Sequence, residues 1–347
     1  MNFFERTFTA QIRNRARDLW AKAAGTTPRF GLFEKSNLGS AVALLGAASL
    51  LAGCAGTGTT TAQHLDARPA ISNSSSTESE LLTEYYAAVE KRLVAKGYLR
   101  TDGGYSEAPL AVDDLVANFE RQAFYDEHAF RNGRFVPAQV KSVLRKWNKP
   151  VRIEIVFGDS VSPQQQALDK ENITEFAVRL GDLTGLDIEL SDSEPNYYVL
   201  ILNKTEQLNF VGQLQVLLPD ISERVARDYL TSEARQFCSA ITLYDRRKGE
   251  IQNAVVLIKA EHPPLMKLAC IHEEMSQALG LVNDSKMARP SIFNDDEEFA
   301  LLTVHDELML KILYDSRLER GMTADDARPI VKSLASELGA SLNSERI

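Results

Sequence analysis

The sequence is poor in the features that mark most functional classes. It has three cysteines in 347 residues (Cys54, Cys238 and Cys270), five histidines and two tryptophans. It has no apolar run long enough to cross a bilayer. The most apolar stretch, within residues 37–53, offers about a dozen such residues where a spanning helix needs about twenty. A basic surplus is also missing. The formal charge is −9, and residues 1–53 carry seven Lys/Arg and three Asp/Glu, which leaves 32 basic and 45 acidic residues beyond them. Such an acidic body is a poor match for a phosphate backbone, so no nucleic-acid partner is expected. The remaining balance, 44% hydrophobic and 25% charged, is that of an ordinary globular protein. The length predicts one or two domains plus tails.

The N-terminus is basic through residue 38, with Arg6, Arg13, Arg15, Arg17, Lys22, Arg29 and Lys35. Small apolar residues follow to Gly53 and fit the h-region of a secretory signal. Phe3 to Lys22 also reads as a basic amphipathic helix suited to an anionic membrane surface. Leu51-Ala52-Gly53-Cys54 resembles the lipobox of bacterial lipoproteins. That resemblance implies a signal peptide over 1–53 and lipidation of Cys54. It further implies a membrane partner through the acyl chains and a cell-envelope location, outer membrane facing the periplasm. Residues 54–78 follow as a Thr/Ser/Gly-rich tether with nothing to bury.

Residues 79–148 carry helical spacing: Leu81 to Val94 closed by Gly97, then Leu110 to Tyr125, then a third helix opened by Pro137. From Val151 the pattern alternates, and strands are expected at Val151–Phe157, Asp187–Leu190, Tyr197–Leu202, Phe237–Tyr244 and Ile251–Lys259. Helices are expected from Ser162-Pro163 to Thr184, over Asp220–Arg235 and after Pro263, with loop over 203–221. The fold class this predicts is α+β (α/β-like), a mixed sheet over 149–340 preceded by a small helical segment. In an exported, oxidising compartment Cys238 and Cys270 are expected to pair. Two buried thiols, or a metal site with His272, are the alternatives.

The stretch Glu273-Glu274-Met275-Ser276-Gln277-Ala278-Leu279-Gly280-Leu281-Val282-Asn283-Asp284 carries the chemistry. Glu273 and Gln277, four apart, share a helical face, and Gly280 stops the helix. This layout resembles the metzincin zinc proteases, whose motif is H-E-x-x-H-x-x-G-x-x-H followed by a Met-turn. Laid on that motif, Glu274 is the general base, and the three zinc-ligand positions fall on Glu273, Gln277 and Asn283. Phe293 stands where the Met-turn methionine belongs, and Leu313-Tyr314 resembles the end of a serralysin-type last helix. All three ligand histidines are replaced, and one carboxylate with two neutral amides suits zinc poorly, so no cofactor is expected. The C-terminal half also resembles a domain family of unknown function in proteobacterial envelope proteins, which shares E-E-x-x-Q-x-L-G-L-x-N-D and R-P-S-I-F-N-D.

Three functional readings follow. The first is a lipid-anchored, zinc-free pseudo-protease scaffold that binds a peptide or envelope partner. The second is a divergent hydrolase with Glu274 as general base, and the third a purely structural lipoprotein.

Overall fold

The computed structural model describes residues 73–104, 111–131, 134–231, 236–294 and 296–344. The signal-like segment, Cys54, most of the tether and Asp295 lie outside them.

The first helix, α1 (Asn73–Ala95), begins six residues earlier than the sequence predicts, so its first turns take up residues assigned to the tether. Gly97, with φ +80°, closes it. Helix α2 (Val112–Ala123) buries Leu115, Phe119 and Ala123 on one face. The third predicted helix is absent. Instead β1 (Tyr125–Arg131) and β2 (Arg134–Lys141) form an antiparallel hairpin. Pro137 lies opposite His128 beside a bulge between Asp126 and His128, where a strand tolerates a residue without an N–H. A proline that reads locally as a helix start thus serves a strand, because the pairing partner lies elsewhere in the chain.

The central sheet has the order β4-β3-β5-β7-β6, built from β3 (Val151–Phe157), β4 (Ile188–Leu190), β5 (Tyr197–Leu202), β6 (Cys238–Asp245) and β7 (Glu250–Lys259). All neighbours run parallel except β6, which pairs antiparallel with β7. Every residue of β5 is buried, as expected for a parallel strand covered on both faces. One face carries Ile153, Val199, Ile201, Val256 and Ile258. They pack against α3 (Pro163–Thr184), α7 (Pro264–Gln277) and α8 (Val304–Tyr314). The other face, Tyr198, Leu200, Val255 and Leu257, packs against α5 (Val211–Leu217) and α6 (Glu223–Leu230), which follow the short α4 (Lys204–Asn209). Residues 203–221, expected to be loop, therefore hold two short helices, and the helix expected over 220–235 is cut to eight residues. A capping box starts α4: Asn203 Oδ1 accepts from Glu206 N at 2.9 Å while Glu206 Oε2 accepts from Asn203 N at 2.8 Å. The last helix, α9 (Ala324–Ser344), follows Thr323, whose hydroxyl donates to Asp326 at 2.6 Å. The molecule is α+β. Among the described residues no helix is long and apolar enough to cross a membrane.

Candidate functional site

Helix α7 enters directly from the end of β7 through Pro263 and Pro264, whose fixed φ suits a first helical turn. Glu90 of α1 accepts from the Met266 N–H at 2.8 Å, completing that turn. The helix buries Met266, Cys270, Ile271 and Met275, and ends at Gln277. The chain then reverses within a tight clasp. Trp147 Nε1 donates to Ala278 O at 3.0 Å and Tyr314 Oη to Leu279 O at 2.8 Å. Gly280 takes φ +125°, and a Cβ there would lie 2.2 Å from the Arg145 carbonyl oxygen. Glycine is thus required twice over at the motif's turn, by conformation and by contact.

The two motif carboxylates stay together. One ligand atom each of Glu273, Glu274 and Cys238 lies within 4.8 Å of the others. Glu274 is buried. Burial first, and then the Glu274 charge, push the Tyr197 and Tyr229 hydroxyls well above their ordinary range. The other two motif positions are committed elsewhere. Gln277 Nε2 donates to Asp284 Oδ1 at 2.6 Å, and Asn283 Nδ2 donates to the Arg121 carbonyl at 2.9 Å. Both amides donate through nitrogen, which leaves their oxygens as the atoms facing a metal, and one carboxylate with two neutral amide oxygens is a poor donor set for zinc.

Cys238 and Cys270 form a disulfide with Cα atoms 5.8 Å apart, tying the start of edge strand β6 to α7. His272 does not join them. Its ring stacks on Phe176 at 4.0 Å, and its Nδ1 accepts from Leu302 N at 3.1 Å. Burial, and then the charge of Arg179, pull its pKa down to about 3.

Phe293 is fully buried in the main core. The turn that carries it hangs on Asp306, a buried carboxylate on α8. Asp306 accepts from Ser291 Oγ at 2.5 Å, Ile292 N at 3.0 Å, Thr303 N at 2.9 Å and Thr303 Oγ1 at 2.7 Å. Ser291 and Ile292 of the R-P-S-I-F-N-D signature therefore dock on one buried carboxylate.

Sequence reasoning missed a second buried polar group, at the carboxyl end of β7. Lys259 Nζ donates to Tyr86 Oη at 3.3 Å and to Gln236 O at 2.5 Å. Burial, and then the charge of Lys204, bring its pKa down to about 8. Glu261 Oε1 accepts from Ser79 Oγ and from Lys204 N, both at 2.8 Å. His262 is buried, edge-on to Tyr86 with ring centroids 4.5 Å apart. The available signal was Lys-Ala-Glu-His closing the apolar run of residues 254–258, a charged tip on a segment buried on both faces.

The order β4-β3-β5 puts a topological switch point between the carboxyl ends of β3 and β5, where open sheets commonly bind ligands. Glu206 fills that crevice. Its carboxylate accepts from Ser160 N at 2.7 Å and from Ser160 Oγ at 2.9 Å. A Cβ at Gly158 would sit 1.9 Å from it.

A family profile described as "Protein of unknown function (DUF2927)" matches residues 112–333. The chain belongs to the DUF2927 family. No curated protein and no solved structure matches it. The DUF2927 match opens on the first residue of α2 and runs into α9. It takes in the hairpin, the whole central sheet, the motif helix and the Asp306-bound turn. Helix α1, which supplies Tyr86, Ser79 and Glu90 to the site, precedes the matched residues.

Proposed function

We propose that this DUF2927 protein is a lipid-anchored envelope protein. Its domain is a metzincin-like scaffold without zinc that binds a peptide or an envelope partner. The observation that carries this reading is the state of the motif: the turn around Gly280 is kept, while the ligand positions hold Glu273, Gln277 and Asn283, an oxygen set that suits zinc poorly. A scaffold that retains its turn and replaces its ligand histidines is what loss of the metal would leave. The sheet ends on β6, and an extended peptide adds to such an edge by backbone pairing. The anchor rests on the lipobox-like Leu51 to Cys54.

The test uses the full chain, extracted from membranes in detergent with its disulfide oxidised. Elemental mass spectrometry should find no stoichiometric transition metal, and partners retained on the protein should protect β6 amides from hydrogen exchange. Substituting Cys54→Ser should release the chain from the membrane. One equivalent of zinc, with peptide hydrolysis lost in Glu274→Gln, would replace this reading with a hydrolase using Glu274 as general base. The observation favouring that second reading is Glu274 itself, buried beside Glu273. Protection of no β6 amide by any retained partner would leave the structural lipoprotein.

A further inference from the structure

The disulfide lies among groups that a purely structural crosslink does not need. Cys238 Sγ is within 4.8 Å of a carboxylate oxygen of Glu273 and of one of Glu274. On the other sulfur, Cys270 Sγ lies 3.7 Å from His262 Nδ1. His262 is buried, and its Nε2 has no hydrogen-bond partner among the described residues. The aromatic rings of Tyr86 and Phe237 wall the imidazole, with centroids at 4.5 and 6.1 Å.

These donor types suit a thiophilic metal. Around a tetrahedral zinc with Zn–S of about 2.3 Å and Zn–N of about 2.0–2.1 Å, neighbouring donor atoms lie roughly 3.5–3.8 Å apart. The imidazole-to-sulfur distance is already in that range, while the carboxylates lie by the other sulfur and must close in on the ion once reduction frees the two cysteine side chains. What prevents binding in the oxidised chain is the sulfur–sulfur bond, because the metal ligand is a thiolate.

We propose that Cys238, Cys270, His262 and a carboxylate of Glu273 or Glu274 form a redox-gated site for zinc, closed by the disulfide and opened by reduction. This donor set differs from the motif triad of Glu273, Gln277 and Asn283. The proposal is also independent of the reading above, which concerns the oxidised chain.

Opening requires a dithiol. Its thiolate attacks Cys238 Sγ, the sulfur at the edge strand, and forms a mixed disulfide while Cys270 leaves as thiolate. The second thiol of the reductant then attacks that mixed disulfide and leaves joined to the first, releasing Cys238. The dithiol is oxidised by two electrons, and its two protons pass to the cysteine sulfurs. Zinc then binds both sulfurs as thiolates and returns the two protons to water. His262 Nδ1 supplies the neutral nitrogen and a glutamate the oxygen. The consequence falls on the edge strand, since β6 is held to α7 by a covalent bond in one state and by a metal in the other.

The experiment uses the full chain in detergent, reduced with dithiothreitol and freed of it by anaerobic gel filtration. Zinc is titrated against a chromophoric chelator. Cobalt(II) replaces it for absorption spectroscopy, and circular dichroism follows the fold.

The reduced chain should take up one equivalent of zinc, melt at higher temperature with it, and show a thiolate-to-cobalt charge-transfer band. The oxidised chain should do none of these. His262→Ala, and at least one of Glu273→Gln and Glu274→Gln, should weaken zinc about tenfold or more, since even outer-shell partners of a metal are worth that much. Each variant is checked for its native fold in the oxidised state. X-ray absorption on the zinc-loaded parent chain needs no variant and should show two sulfurs with two lighter donors.

Equal zinc uptake by the oxidised and reduced chains would overturn the proposal. So would unfolding on reduction that zinc does not reverse, a first shell without two sulfurs, or variants that all bind as tightly as the parent.

Discussion

Gly280 sits at the one point of the motif where backbone conformation and close contact coincide. Its φ of +125° is a region side chains avoid, and its α-carbon faces the Arg145 carbonyl and Leu313. A Gly280→Ala chain must move the 145 backbone or abandon the turn, at a cost of about 3 kcal/mol. Urea unfolding of the two proteins measures this, and an unchanged midpoint would contradict it. The sequence marked the glycine as a helix stop, and the structure places it in the turn three residues beyond the helix end at Gln277. The reason it must be glycine was not legible, because Arg145 is distant in sequence. His272 teaches the converse lesson. Its place beside Glu273 suggests chemistry, yet its imidazole is a core ring stacked on Phe176.

At the scale of elements, the C-terminal end of α8 is closed by a side chain from outside it. Lys146 Nζ donates to Leu313 O and Asp315 O at 3.2 Å and to Leu318 O at 2.5 Å. A cation at the negative end of a helix, satisfying otherwise open carbonyls, is favourable on both counts. Burial pulls its pKa down, opposed by the nearby Asp315. Lys146→Met keeps the aliphatic stem and removes the donor. The expected loss is about 1.5–3 kcal/mol, the range for hydrogen bonds to a charged group. Faster hydrogen exchange over residues 310–318 should accompany it, and unchanged exchange there would show that the carbonyls find other donors. The same scale explains the misread helix at Pro137. Its neighbours Phe135, Val136 and Val140 suit a strand at least as well, and pairing with β1 decided the matter.

At the scale of the whole molecule, acid should unfold the domain before carboxylate chemistry alone would. His262 and His272 are pulled down to about 3 and His305 to about 4, in each case chiefly by burial. The unfolded chain takes up these protons below about 6.5, and the folded chain does not. Their stabilisation is therefore present above about pH 6.5 and is lost as pH falls toward 4. Asp306 runs the other way. Burial raises it to about 6, against the hydrogen bonds that favour its charge, so its contribution is present below the unfolded carboxylate range and lost as pH rises through about 6. Three groups against one leave a net fall in stability of up to about 2.7 kcal/mol per pH unit on acidification between about pH 6 and 4. Melting temperatures from pH 7 to 4.5 check the sign, and a flat or rising profile would refute it.

The sequence by itself determined the α+β class, the five strands of the central sheet, the helix start at Pro163, the start at Pro263 to within one residue, and the glycine of the turn that follows the motif helix. These rest on alternation, proline geometry and glycine freedom, which act within a few residues. The Cys238–Cys270 bridge was legible because only two cysteines remain beyond Cys54. Tertiary structure alone decided the hairpin at 125–141, the paired helices over 204–217, and the partners of the motif side chains. Asn283 turned to Arg121, Gln277 to Asp284, and the signature turn to Asp306. His262 came to rest against Cys270, and Lys259 against Tyr86. Each of these is a hydrogen bond or ring contact whose choice of partner depends on which elements lie side by side. A buried polar atom must take whatever partner the packing brings within reach, and no local pattern names that partner in advance.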